Sequence, residues 1–245
     1  MSKLGYCSRS QAAELIRAGR VRLNSVARRD PEAPVHIGKD HIAVDGHAIQ
    51  SQSKIYLMMN KPRGVVTTAS DEKGRETVYG VLDKSGESVP WVAPLGRLDK
   101  ASEGLLLLTN DSEWGARIAA PETHLAKTYH VQVGAVLDEG VIKAIVGGVT
   151  IADGDFLRAK EARLLRSGEK NCWLEIVLDE GKNRQIRRML ELFAVEVLRL
   201  VRVAVGPLQL GDLAKGSSRA LTNVEKRMLD RAMTASKPLT TKRTK

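Results

Sequence analysis

No stretch of about 18 apolar residues occurs in the 245-residue chain, which excludes a membrane-spanning helix. The charged Lys3, Arg9 and Glu14 stand where a secretory signal would carry an apolar core, so a cytoplasmic protein is expected. Only two cysteines occur, Cys7 and Cys172, and neither belongs to a Cys-x-x-Cys pair. Both are expected as free thiols. The five histidines, His36, His41, His47, His124 and His130, show no ligand spacing, and no structural metal is expected. No internal repeat is present. Acidic residues are scarce at the two ends: residues 1–50 carry eight Lys/Arg against five Asp/Glu, and residues 232–245 carry four against none.

What the chain does have is positive charge and a core. A net charge of +10 and a pI near 9.7 favour a polyanionic partner, because neutralised phosphates release their condensed counterions. Nucleic acid is the first expectation, against the plainer alternative of a basic surface on a soluble protein. A hydrophobic content of 42% is ample for a buried core.

The first 50 residues read as a small domain. Ser10 is placed to cap a helix through Ala12, Ala13, Leu15 and Ile16, Gly19 to stop it, and Val21–Leu23 to follow as a strand. Arg9, Arg17, Arg20 and Arg22 lie on that helix and its exit, a solvated face or an RNA contact. Val44 to Ile49 reads as a hairpin with an Asp45-Gly46 turn. A polar linker at Ser51–Ser53 sets a domain boundary there. Residues 54–235 form the second domain, and the basic tail 236–245 is expected to be disordered.

The second domain alternates strand-like segments at 54–59, 91–95, 105–109, 127–134, 172–178 and 195–205 with helix-like ones at 77–83, 112–120, 138–147, 183–193 and 223–234. That pattern predicts an α+β domain on a mixed, mainly antiparallel sheet. Between the segments ending at Leu95 and beginning at Leu105, the charged loop holding Asp99 is framed by Gly96 and Gly104. Rigid flanks of this kind are where catalytic groups concentrate, although a capping or turn aspartate is the plainer reading. Alternation places Lys127, Tyr129, Val131 and Val133 on one strand face, where Tyr129 is either a core tyrosine or a stacking platform for a base. Asn183 is placed to cap a helix burying Ile186, Met189, Leu190 and Phe193, with Arg184, Arg187 and Arg188 crowding its start. Such a cluster suits phosphate or a buried carboxylate.

Three segments taken in order, Gly96-Arg97-Leu98-Asp99-x-x-Ser102-x-Gly104-Leu-Leu-Leu-Leu-Thr109-Asn110-Asp111, Lys127-Thr128-Tyr129 and Gly181-Lys182-Asn183-Arg184-Gln185-Ile186-Arg187-Arg188-Met189, resemble the motifs of the RsuA-type pseudouridine synthases. Cys7-Ser8-Arg9 and Ile16-Arg17-Ala18-Gly19-Arg20-Val21 resemble the small RNA-binding module of the ribosomal protein S-four type. The resemblance implies a pseudouridine synthase fold behind that module, acting on a uridine of ribosomal RNA, with large-subunit RNA slightly preferred, and needing neither cofactor nor metal.

The resemblance also implies residue roles. Asp99 is the essential carboxylate, acting as a nucleophile or as the base of an elimination. Arg187 keeps it ionised and oriented, Tyr129 lies against the base, and Arg97 holds the RNA open. Lys182, Arg184 and Arg188 are assigned to phosphates, with Arg9, Arg17, Arg20 and Arg22 as remote RNA anchors. The expected partner is ribosomal RNA or a pre-ribosomal particle, bound by a monomer, with no DNA and no membrane. The family's module usually has a further helix ahead of Lys3, and this sequence starts almost inside the motif, so either the true start lies further upstream or the module is a weaker anchor. Asn24-Ser25 replaces the usual Asn-Gly, and Ser112 a usual glycine. The alternative function is a non-catalytic RNA-binding or ribosome-assembly factor on the same fold.

Overall fold

The computed structural model describes residues 1–68, 71, 73–84 and 90–235, so the expectation for the tail lies outside the described residues. Helix α1 (Arg9–Arg17) starts two residues earlier than a Ser10 cap would place it. Its cap is Ser8, whose hydroxyl accepts the Gln11 N–H while the Gln11 side chain accepts the Ser8 N–H, both at 3.1 Å. The reason is spacing: a reciprocal box needs a side-chain acceptor three residues after the cap, and Gln11 supplies it for Ser8.

Strands β1 (Val21–Leu23), β2 (Val26–Arg28), β3 (Ile42–Val44) and β4 (His47–Ala48) form a sheet in the order β2-β1-β3-β4. Val21, Leu23, Ile42 and Val44 form its core, against which Leu15 and Ile16 pack. The expected Asp45-Gly46 turn joins β3 to β4, with φ of 49° and 84°. Between β1 and β2 the turn is Asn24-Ser25, at φ 48° and 70°. Asn24 is suited to it, since its side chain donates to Asp40 and accepts the His41 N–H. Among the described residues, nothing supports Ser25 in this way. Ser25→Gly is therefore expected to raise the stability of this module by about 0.5–1 kcal/mol, read by amide exchange in β1 and β3.

The larger domain runs β5 (Tyr56–Lys61), α2 (Val78–Asp83), β6 (Ala93–Leu95), β7 (Glu103–Thr109), α3 (Ser112–Ala119), β8 (Lys127–Val133), α4 (Glu139–Gly147), β9 (Val149–Thr150), β10 (Phe156–Leu157), β11 (Glu161–Ser167), β12 (Cys172–Leu178), α5 (Gln185–Glu191), β13 (Val197–Val205), β14 (Leu208–Gln209), β15 (Ser218–Ala220) and α6 (Asn223–Ala235). Its main sheet has the order β11-β12-β8-β13-β7-β5-β15, with β6 beside β7 and β14 beside β13. Every pairing is antiparallel except β7 with β13. The mixed, mainly antiparallel sheet is thus as the sequence implies. Among the described residues, no helix is long and apolar enough to cross a membrane.

Strand β7 is buried along its whole length because both of its faces are covered. Leu106 and Leu108 point into a cluster with Leu57, Met59, Val78 and Leu98, while Leu105 and Leu107 point into the opposite cluster with Trp114, Ile118 and Leu229. A third cluster, built on Val131, Leu174, Ile176 and Met189, fills one side of the β8–β11–β12–β13 half. The two halves meet at Gly104, where a Cβ would lie 2.3 Å from the Arg202 carbonyl oxygen. Only glycine permits that approach, and its φ of 101° is closed to most L-residues.

Candidate active site

The loop Gly96–Ser102, between β6 and β7, is held by backbone contacts on every side. Leu98 anchors it in the core, and Thr67 Oγ1 donates to the Leu98 carbonyl at 2.8 Å while accepting the Leu98 N–H at 3.3 Å. The Gly64 N–H donates to the Lys100 carbonyl at 2.7 Å, and the Ser102 N–H closes a turn onto the Asp99 carbonyl at 2.9 Å.

Beneath the loop lies a residue that the motif reading passed over. Lys61, at the end of β5, is fully buried, and its Nζ donates to the carbonyls of Pro62, Asp99 and Ser102 at 3.1, 3.2 and 2.9 Å. Burial pushes its amine down to about 8; the Asp99 and Glu103 carboxylates oppose that shift and Arg202 adds to it. A lysine closing an apolar strand and followed by proline was the available signal.

Because the folded-state value lies below the ordinary 10.5, the folded protein releases this proton first as pH rises from about 8. The burial penalty then eases, so the group's contribution to stability rises through that window. A neutral amine, however, keeps only two N–H groups for three carbonyls. Activity is therefore expected to fall above about pH 8 with no matching loss of thermal stability. A pH–rate profile flat from about pH 7 to 9.5 would count against this role.

Asp99 and Tyr129, both partly buried, and Arg187 line one cleft of about 640 Å³ over the seam between the half-sheets. Tyr129 reaches it from β8 and packs against the clusters on both sides of the seam. The expected contact between Arg187 and the Asp99 carboxylate is not made: among the described residues, no cation lies within 4.0 Å of that carboxylate. Arg187 instead donates to the carbonyls of Val197 at 3.1 Å and Ala101 at 3.3 Å, tying the start of β13 to the loop that carries Asp99. Burial lowers its pKa most, Arg184 and Arg63 lower it further, and the Asp99 charge raises it, so the two groups still feel each other. Among the described residues, two buried polar atoms of side chains that line the cleft with Asp99 lack a partner, Ser102 Oγ and Arg187 Nε. Such atoms cost about 1–3 kcal/mol each until something satisfies them.

Arg97, Lys182 and Arg184 also line the cleft, with Lys127 and Arg202 as cations not anticipated. Lys182 is partly engaged, its amine donating to the Phe156 carbonyl at 2.7 Å. Arg184 itself occupies the cap position of α5 in left-handed geometry, which displaces the expected Asn183 cap and aims the helix start at the cleft. Arg188 turns away. Its guanidinium is taken by Asp153 and by Asp155, the latter at 3.0 Å, so it is not a free phosphate contact. In the N-terminal module Arg9, Arg17, Arg20 and Arg22 are all exposed, but Arg20 is already held by Asp45 through Nε at 2.9 Å. Among the described residues, no cluster of three or more His, Cys, Asp and Glu side chains converges as a metal site.

The family model for RNA pseudouridylate synthase matches residues 55–192, which include β5, the Asp99 loop, Tyr129 and Arg187. The chain belongs to the RNA pseudouridylate synthase family. An S4 domain matches residues 1–42 of this synthase. It is 36% identical over 234 residues to an uncharacterized RNA pseudouridine synthase of Aquifex aeolicus, covering 95% of this chain and 92% of that one. It is 34% identical over 228 residues to ribosomal large subunit pseudouridine synthase B of Bacillus subtilis, covering 92% and 91%. A crystal structure of pseudouridylate synthase superposes with a TM-score of 0.63 at 28% identity, covering 91% of this synthase and 94% of that chain. The synthase is an isomerase that acts on uridine in RNA, and RNA is its partner.

Proposed function

We propose that this synthase converts one uridine of large-subunit ribosomal RNA to pseudouridine, with Asp99 as the reacting carboxylate. The observation that carries the reading is the convergence of Asp99, Tyr129 and Arg187 in one cleft beside two unsatisfied polar atoms. Ribosomal large-subunit RNA is chosen because the Bacillus subtilis relative is named for it. The enzyme works as a cytoplasmic monomer, with no DNA and no membrane partner.

The reaction is an isomerisation. The bond from ribose C1′ to uracil N1 breaks, the base turns, C5 bonds to C1′, and the C5 proton is released as N1 regains one. Asp99 either attacks as a nucleophile or takes a ribose proton to open an elimination. Tyr129 packs against the uracil ring and assists its proton transfer. Arg187 stiffens the loop and, through its free Nε, offers a donor to Asp99 or the substrate. Arg97 props the duplex open after the base leaves the stack, a step costing a few kcal/mol that favours loops and bulges. Lys182 and Arg184 take backbone phosphates, and Arg9, Arg17 and Arg22 hold RNA at a distance.

Carbodiimide-adduct primer extension on ribosomal RNA from a deletion strain tests the assignment. One large-subunit stop is expected to vanish and to return with the wild-type chain. An unchanged pattern in the deletion strain would transfer the reading to a non-catalytic assembly factor.

A further inference from the structure

The half-sheet that carries Tyr129 has a second face. Leu174 and Ile176 of β12 point into the cluster covered by α4 and α5, so the alternating Trp173 and Glu175 point away from both helices. On β13, Leu200 and Arg202 line the catalytic cleft, whereas Arg199, Val201 and Val203 line a separate groove of about 400 Å³ behind it.

The strand register builds that face in rows. Arg166 on β11 lies opposite Trp173, which lies opposite Gln132 on β8, which lies opposite Arg199 on β13. The next row is Arg163, Glu175, His130 and Val201. Across the first row, the Arg166 and Arg199 guanidinium carbons sit 5.1 and 5.9 Å from the Trp173 ring centre. Leu165, Val201 and Val203 supply the apolar part of the groove.

Charge on this face is unbalanced. Glu175 is taken by Arg163 at 2.7 Å and His130 at 3.3 Å, and the buried Glu103 by Arg199 at 2.8 Å and Lys215 at 2.6 Å. Counting Glu161, which sits in the next row opposite Val177, three arginines (Arg163, Arg166 and Arg199) and Lys215 meet three carboxylates, a surplus of one cation. Among the described residues, Arg166 has no carboxylate within 4.0 Å, and it is exposed.

We propose that this back face of the β8–β11–β12–β13 half-sheet is a second RNA-binding surface, which takes an unpaired, single-stranded segment of the substrate RNA. An open antiparallel sheet with an aromatic at its centre presents stacking planes to splayed bases, and arginine planes stack bases as well as pairing with phosphates. The unpaired Arg166 faces a polyanion, and the apolar groove offers bases contact that a continuous phosphate ridge would not use. Arg166, the unpaired arginine of the face, supplies the phosphate contact, Trp173 the stacking plane, and His130 and Gln132 hydrogen bonds to base edges. The surface lies on the opposite face of β13 from the Asp99 cleft, so an RNA strand that passes around β11, the edge strand on this side, engages both faces. The inference rests on RNA being the partner, not on which ribosomal uridine is modified.

The test uses the full chain and a 4-thiouridine-substituted single-stranded RNA of about 20 nucleotides, irradiated at long wavelength and mapped by peptide mass spectrometry. A crosslink within 161–167 or 172–178 is expected, beside those from the cleft. By fluorescence anisotropy with the same RNA, Trp173→Ala is expected to bind about fivefold or more weakly. Arg166→Glu is expected to lower the slope of log affinity against log salt by about one. Arg166 is an edge-strand side chain, so its variant keeps the test valid if Trp173→Ala melts early. Crosslinks confined to the cleft and residues 1–50, with both variants binding as wild type, would overturn the proposal. So would variants that bind RNA normally but change the sedimentation coefficient, which would make the face a contact between copies of the chain.

Discussion

Asp99→Asn is expected to lower the rate of pseudouridine formation by about 10⁴-fold or more, while the protein melts as the wild type does. The asymmetry follows from the site. The carboxylate has no cation within 4.0 Å among the described residues, so neutralising it breaks no ion pair. The contacts that fix the loop run instead through the backbone carbonyls of Leu98, Asp99, Lys100 and Ser102, which the amide leaves untouched. The cleft also loses one negative charge among Arg97, Arg184, Arg187 and Lys182, so RNA affinity is expected to hold or rise slightly. Tritium release from RNA labelled at uridine C5 measures the rate, and calorimetry the stability. A variant retaining a tenth of the wild-type rate would remove Asp99 from the chemistry.

Gly104→Ala is expected to cost about 4 kcal/mol or more, a large share of the stability of a typical domain. The added Cβ would sit 2.3 Å from one Arg202 backbone atom and 2.8 Å from another, and backbone cannot swing aside as a side-chain tip can. β13 would have to separate from β7 at the parallel pairing that joins the two halves of the sheet. On its other side Gly104 pairs with Lys61, so the disturbance would reach the lysine under the catalytic loop. Gly64→Ala is the control. It has a similar φ of 93°, but nothing lies within 4 Å of its Cβ position, so it suffers backbone strain alone. Urea unfolding of the two variants separates the terms, and equal midpoints would show that the contact with Arg202 is unimportant.

The sequence carried what depends on local pattern. The continuous apolar run Leu105–Leu108 marked a strand covered on both faces, and the alternation through Lys127–Val133 placed Tyr129 on the cleft side. Asp45-Gly46 marked its turn. Patterns failed where a segment is stabilised by its neighbours. β11 and β15 went unnoticed because edge strands need no apolar alternation: Glu161, Arg163 and Arg166 point to solvent, and β15 spans three residues. The cap of α5 was misplaced because Arg184 holds left-handed geometry that Asn183 was expected to make unnecessary.

By itself, then, the sequence determined the class of fold, the order of its main elements, the basic character of the surface and the three motifs that bear the reactive groups. These are properties of neighbours along the chain, set by side-chain period and composition. Only the tertiary structure decided that Arg187 spends its fork on Ala101 and Val197, that Arg188 is neutralised by Asp153 and Asp155, and that Lys61 anchors the loop from beneath. Those outcomes depend on which groups far apart in sequence the fold brings within reach of the same charge. A guanidinium goes to the acceptors the fold brings within reach, part-buried carbonyls for Arg187 and exposed carboxylates for Arg188, and no reading of adjacent residues reveals which they are.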